Sequence, residues 1–182
     1  MSQLRRAMTP IAEPLCAYIL VDCSASMSGA PFEALRQGVQ VLLNAFERYN
    51  GRAVQAALLA FESAPILMTP LQAAHSEAFI ADANQILATS EPAGASNLGK
   101  ALRQLAAALP EGAMTALYLF SDGGFTDDWQ SALAQVRPRL KCFYAVACGL
   151  SADREALSAA DQVLSVDGLT ADTLLTALRA IK

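Results

Sequence analysis

Asp22-Cys23-Ser24-Ala25-Ser26 follows directly on the apolar run of residues 15–21. A strand that ends in one carboxylate and two hydroxyls, each two residues from the last, offers only hard oxygen donors at a sheet edge. Hard donors suit Mg²⁺, Mn²⁺ or Ca²⁺ rather than zinc or copper. Taken alone, the same residues also read as a Ser-rich turn capping the helix that begins near Pro31. Two further segments tilt the balance. Gly94-Ala95-Ser96-Asn97-Leu98-Gly99 introduces an apolar-periodic helix (Leu98, Ala101, Leu102, Leu105, Ala108, Leu109). A second continuous hydrophobic run, residues 116–120, ends in Ser121-Asp122-Gly123-Gly124. Asp22, Ser24, Ser26, Ser96 and Asp122 thus all fall where a strand stops or a helix starts, and they are the candidate metal residues.

The elements that must position them alternate along the chain. Strands are expected at 15–21, 54–61, 66–68 (a short edge strand between Pro65 and Pro70), 116–120, 142–147 and 163–166. Helices are expected at 31–49, 76–87, 97–109, 127–136, a short one from Asp153, and 170–181. Pro31 suits a first helical turn, where no amide donor is needed. Strands joined by helices imply a mostly parallel sheet covered on both faces, an α/β fold. Residues 1–14 read as a lead-in and 15–182 as one domain. Of the 182 residues, 54% are hydrophobic, which excludes disorder, and a net charge of −4 argues against a nucleic-acid or anionic-membrane surface. No signal-peptide core follows Arg5 and Arg6, and no apolar run approaches the roughly 20 residues needed to span a bilayer. A soluble, cytoplasmic protein is the expectation.

The three segments, in this order and spacing and over nearly the whole chain, resemble the von Willebrand factor A (vWA) domain and its metal-ion-dependent adhesion site. That site uses a D-x-S-x-S loop, a Thr or Ser from a second loop, and an Asp closing a later strand. The resemblance implies a doubly wound, six-stranded sheet of order 3-2-1-4-5-6 with strand three antiparallel, reversing between strands one and four where ligands gather. It implies Ser24, Ser26 and Ser96 as direct ligands, with Asp22 and Asp122 holding hydroxyls and waters or binding the ion themselves. The cation, Mg²⁺ or Mn²⁺ with Ca²⁺ also admitted, would take an Asp or Glu of a partner protein as its last ligand. Ser96 stands where the family often has Thr, and Ala95 replaces the second glycine of the usual G-G-T. Within the superfamily, Tyr18–Gly29, Ser96–Leu102 and Ser121–Trp129 are similar to bacterial TerY-like tellurite-resistance and stress-response proteins. That likeness implies a non-enzymatic adaptor working with a PP2C-type phosphatase and a Ser/Thr kinase, itself a candidate for phosphorylation.

Rival chemistries are weaker. Gly94–Lys100 matches G-x-x-x-x-G-K, but Ala101 lacks the hydroxyl a P-loop needs and no hydrophobic strand precedes it. A Mg²⁺-dependent phosphatase-like hydrolase using Asp22 is the main alternative, although such enzymes want a second Asp where Ser24 stands. His75, the only histidine, reads as a surface or helix-start residue, so no serine hydrolase is indicated. Cys16, Cys23, Cys142 and Cys148 form no C-x-x-C pair and read as buried thiols, Cys23 being the one within the metal loop. Met27, Phe125 and Trp129 are candidates for an apolar rim. Thr126 or Asp127 is expected to cap the following helix, with Asp128 favouring its positive end.

Overall fold

The computed structural model describes residues 13–181, so most of the expected lead-in over residues 1–14 lies outside the described residues. Among the described residues seven strands form one sheet: β1 (Leu15–Asp22), β2 (Val54–Phe61), β3 (Pro65–Met68), β4 (Gln72–Ala73), β5 (Met114–Ser121), β6 (Cys142–Ala147) and β7 (Gln162–Ser165). Their order is β3-β2-β1-β5-β6-β7, with β3 and β4 both antiparallel to β2 and the rest parallel. Setting β4 aside, this is the expected order 3-2-1-4-5-6.

The sheet has seven strands rather than six. The chain returning along β2 is broken at Thr69-Pro70, because proline has no amide to give the ladder. Thr69 bridges the break: its amide donates to the Leu58 carbonyl and its Oγ1 accepts from the Leu58 amide, both at 2.9 Å. Beyond it, Gln72 and Ala73 pair again with Ala56 and Gln55. Two residues carry no readable period, so the sequence offered no sign of this strand.

Among the described residues six helices cover the sheet: α1 (Ala30–Arg48), α2 (Glu77–Thr89), α3 (Leu98–Ala108), α4 (Trp129–Val136), α5 (Arg154–Leu157) and α6 (Ala171–Ala180). Every residue of β1 is buried, as expected for a central parallel strand. Its side chains alternate between two cores. Leu15, Ala17, Ile19 and Val21 pack with α1, α2 and α6 through Phe32, Leu35, Phe79 and Leu178. Cys16, Tyr18 and Leu20 pack with α3 and α4 through Leu102, Leu105 and Val136. The same two-residue period along β5 sends Tyr118 and Phe120 to the first core and Leu117 and Leu119 to the second. Continued to the strand ends, it turns Asp22 and Ser121 to the α3/α4 side together. Among the described residues no helix is long and apolar enough to cross a membrane.

Candidate metal centre

Asp22 closes β1 with no exposed surface. Its Oδ2 accepts from the Ser96 hydroxyl at 2.8 Å and the Ser121 hydroxyl at 2.6 Å, and its Oδ1 accepts from the Ser24 amide at 2.9 Å. Burial pushes this carboxyl above its usual range, and hydrogen bonds from Ser121, Ser24 and Ser96 oppose the shift. All of its hydrogen-bond donors among the described residues are neutral, so this buried acid has dipoles around it and no countercharge.

The remaining candidates lie close by. Ser24 is buried, and its Oγ stands 3.1 Å from the Oγ of exposed Ser26. The two hydroxyls converge because residues Ala25–Met27 make one 3-10 turn, pinned by the fully buried Met27. Met27 is therefore an anchor, not the rim residue expected. Asp122 is half-buried, and its Oδ1 accepts from the Gly124 amide at 3.0 Å. It makes no hydrogen bond to the other four candidates among the described residues. Its proximity comes through Gly124, where an added Cβ would lie 3.3 Å from Asp122 Oδ1 and 3.7 Å from Ser26 Oγ. A side chain at this position would crowd the Asp122 carboxylate, so the glycine lets the loop pass close to a carboxylate oxygen and a hydroxyl.

Backbone bonds fix the loop that carries Ser96. Ala93 donates to the Cys23 carbonyl at 2.8 Å and Ala25 to the Gly94 carbonyl at 3.1 Å, lacing it to the Asp22 loop. On the other side Ser96 bridges Phe125 and accepts from the Thr126 amide at 2.8 Å. Below, Ser63 Oγ accepts from the Ala95 amide at 2.9 Å, and the Ser63 carbonyl accepts from Asn97 and Lys100 side chains, both at 2.8 Å.

The capping expectation needs correction. Asp127 caps α3 rather than the helix that follows it, accepting from the Gly99 and Lys100 amides at 2.9 and 3.0 Å. Gly99 permits this approach, since a Cβ there would lie 2.8 Å from both Asp127 Oδ2 and the Asp128 carbonyl. Asp128 alone caps α4, accepting from Ser131 at 3.3 Å, and Thr126 bonds back to Ser96 and Asn97. Phe125 and Trp129, both half-buried, meet edge to face at 5.3 Å. Exposed His75 sits just before the α2 cap Ser76. All four cysteines are buried and free, Cys23 included.

Ser121, Ser63 and the Asp127 bond across to α3 are not among the residues the motifs single out. Ser121 was readable in principle, because strand alternation points it the same way as Asp22. The Ser63 and Asp127 contacts join loops distant in sequence and carried no local signal.

Among the described residues no group of three His, Cys, Asp or Glu side chains is placed to hold a metal ion. A cation here has to draw on serine hydroxyls. The donor set of two carboxylates and three hydroxyls fits a hard divalent ion in its chemistry.

Several solved structures share the fold. A von Willebrand factor type A protein from Catenulispora acidiphila superposes with a TM-score of 0.67 at 18% identity, over 92% of this chain and 41% of that one. An aerotolerance-related membrane protein from Bacteroides fragilis, carrying multiple mutations to serines, gives 0.67 at 13% identity, over 92% of this chain and 98% of the other. The manganese-loaded TRAP protein of Plasmodium vivax gives 0.68 at 14% identity, over 91% and 72%. This chain therefore spans less than half of the Catenulispora protein and nearly all of the Bacteroides one. At these identities the likeness is one of fold. No curated protein matches the sequence. The sequence profile of the von Willebrand factor type A domain matches residues 17–125, more than half of the chain, and the chain belongs to that family.

Proposed function

We propose that this vWA domain is a non-enzymatic, metal-dependent protein-binding module. Asp22, Ser24, Ser26, Ser96 and Asp122 would hold Mg²⁺ or Mn²⁺, and an Asp or Glu of a partner protein would complete the coordination. The observation that carries the reading is the Asp22 cluster: a wholly buried carboxylate orients Ser96 and the Ser24 backbone, beside two converging hydroxyls, with Asp122 and Ser26 both close to Gly124. Such a cluster gives a cation few protein ligands, most of them neutral, so the ion would stay electrophilic toward an incoming carboxylate. The manganese-loaded TRAP protein, of the same fold, lends support for a divalent ion.

The phosphatase alternative asks Asp22 to attack phosphorus. A carboxylate with no exposed surface, whose oxygens already accept three hydrogen bonds, is badly placed for that. The narrower reading, a cytoplasmic TerY-like adaptor beside a PP2C-type phosphatase and a Ser/Thr kinase, rests on the motif residues of the three loops.

The test is a pull-down with immobilised protein, with Mg²⁺ or with EDTA, comparing wild type with Ser96→Ala. The expected result is a partner retained only by wild type and only with Mg²⁺. Retention indifferent to both EDTA and the substitution, or turnover of a phosphate ester abolished by Asp22→Asn, would refute it.

A further inference from the structure

A groove of about 620 Å³ opens beside the candidate metal centre, between the loop after β5 and the short helix α5. Its volume lies within the range of about 300–1,000 Å³ usual for ligand sites. Gly124 belongs to both features. It lines the groove, and its bare Cα faces Asp122 Oδ1 and Ser26 Oγ. The far wall is tied to the same loop, because the Asp153 amide donates to the Asp122 carbonyl at 2.6 Å. A chain leaving a carboxylate at the metal therefore has this groove next to it.

The lining is aromatic and acidic. Phe125 and Trp129 present half-buried rings, while Asp153 and Glu155 are exposed carboxylates. No lysine or arginine lines the groove, and neither carboxylate forms an ion pair among the described residues. Arg154 lies between them in sequence but does not line it. Asp153 is partly committed, its Oδ1 accepting from the Glu155 and Ala156 amides at 3.1 and 3.0 Å. Glu155 has no such structural duty.

We propose that this groove selects the partner: it receives an extended peptide in which the metal-binding Asp or Glu is flanked by arginine, whose guanidinium lies against Phe125 and Trp129 and pairs with Glu155. The proposal rests on the metal-binding reading above. Arginine fits better than lysine because its flat cation both stacks on aromatic rings and pairs with a carboxylate. Like charges would turn away a wholly acidic segment, so metal and groove together ask for an acid beside a base.

Trp129 is the chain's one tryptophan, so its emission reports on the groove directly. The experiment titrates the full chain, in saturating Mg²⁺ and at physiological salt, with acetyl-Arg-Arg-Asp-Arg-Arg-amide and its variants. In these variants all four arginines become alanine or glutamate, or the aspartate becomes asparagine. The arginine peptide is expected to bind about tenfold tighter than the alanine one, the combined order of a cation–π contact and a partly exposed ion pair. The glutamate peptide should bind more weakly still, and the asparagine peptide should lose its Mg²⁺ dependence. Glu155→Gln should erase most of the arginine preference and Glu155→Lys should reverse it toward the glutamate peptide. Glu47→Gln, the same charge change at an exposed site on α1, should leave the preference intact. Equal binding of arginine and alanine peptides, or equal effects of Glu155→Gln and Glu47→Gln, would overturn the groove's role. Thermal melts with Mg²⁺ alone separate the two failures. A Mg²⁺ shift without peptide selectivity overturns the groove and leaves the metal reading standing; absence of the shift overturns both.

Discussion

Ser121→Ala removes a hydroxyl that is no candidate ligand yet supports the residue on which the site is built. In the folded protein Ser121 Oγ donates to Asp22 Oδ2 at 2.6 Å and accepts from the Gly123 amide at 2.9 Å. Ser121 and Asp22 both have no exposed surface, so water does not replace the lost group. The bond to the carboxylate contributes about 2 kcal/mol, and orphaning the Gly123 amide costs about 1 kcal/mol more. A loss of about 3 kcal/mol lowers the melting temperature of a chain this size by roughly 6–12 °C. The assay is thermal denaturation at pH 7 without divalent metal, followed by circular dichroism. The control is Ser158→Ala, whose exposed hydroxyl bonds only the Glu155 carbonyl within its own helical turn. That control should stay within about 0.5 kcal/mol of wild type. If Ser121→Ala melts with Ser158→Ala, the buried network around Asp22 is not what stabilises this end of the sheet.

Three further predictions follow from neighbouring contacts. Asp127→Ala should destabilise the protein by about 1–2 kcal/mol in urea unfolding, because it uncaps α3, and Asp127→Asn, which keeps an acceptor oxygen, should lose less. Gly99→Ala should be more damaging than a helix-propensity scale suggests, since alanine is the better helix former but its Cβ would meet Asp127 and the Asp128 carbonyl at 2.8 Å. A Gly99→Ala variant as stable as wild type would contradict that close approach. Burial pushes the Cys23 thiol up to about 11 and the Cys142 thiol up to about 12, from an ordinary 9.0, and raises Cys148 as well. The folded state therefore holds these protons more tightly than the unfolded chain. Their contribution is complete below pH 9 and is lost as pH rises through about 11 and 12. Native protein at pH 8 should resist a thiol reagent that labels all four cysteines after denaturation, and rapid native labelling of Cys23 would contradict its burial.

Much of the fold was legible because central parallel strands are unmixed apolar runs and the covering helices keep their period. The whole of β1 is buried, as residues 15–21 suggested, and α1 buries Phe32, Leu35, Val39, Leu42, Leu43 and Phe46 as their spacing required. What escaped was short or relational. β4 has two residues, too few for any period. Asp127 caps a helix that begins 29 residues earlier in the chain, at Leu98, a partner no local pattern reveals. Met27 reads as exposed because it sits in a polar loop, yet the 3-10 turn folds it fully inward. At the candidate site, Asp22 accepts hydrogen bonds from the Ser24 amide and the Ser96 hydroxyl. Strand parity explains why Ser121, rather than Asp122, reaches Asp22.

Everything proposed for this domain requires that these five oxygen-bearing side chains hold a divalent cation. A crystal grown in excess Mn²⁺ and measured at the manganese absorption edge tests it most directly. One strong anomalous peak is expected, bounded by Ser24, Ser26, Ser96 and Asp122 and lying beside Gly124, and absent from a Ser24→Ala crystal. A site with no peak, its two hydroxyls still hydrogen-bonded to each other, would contradict it.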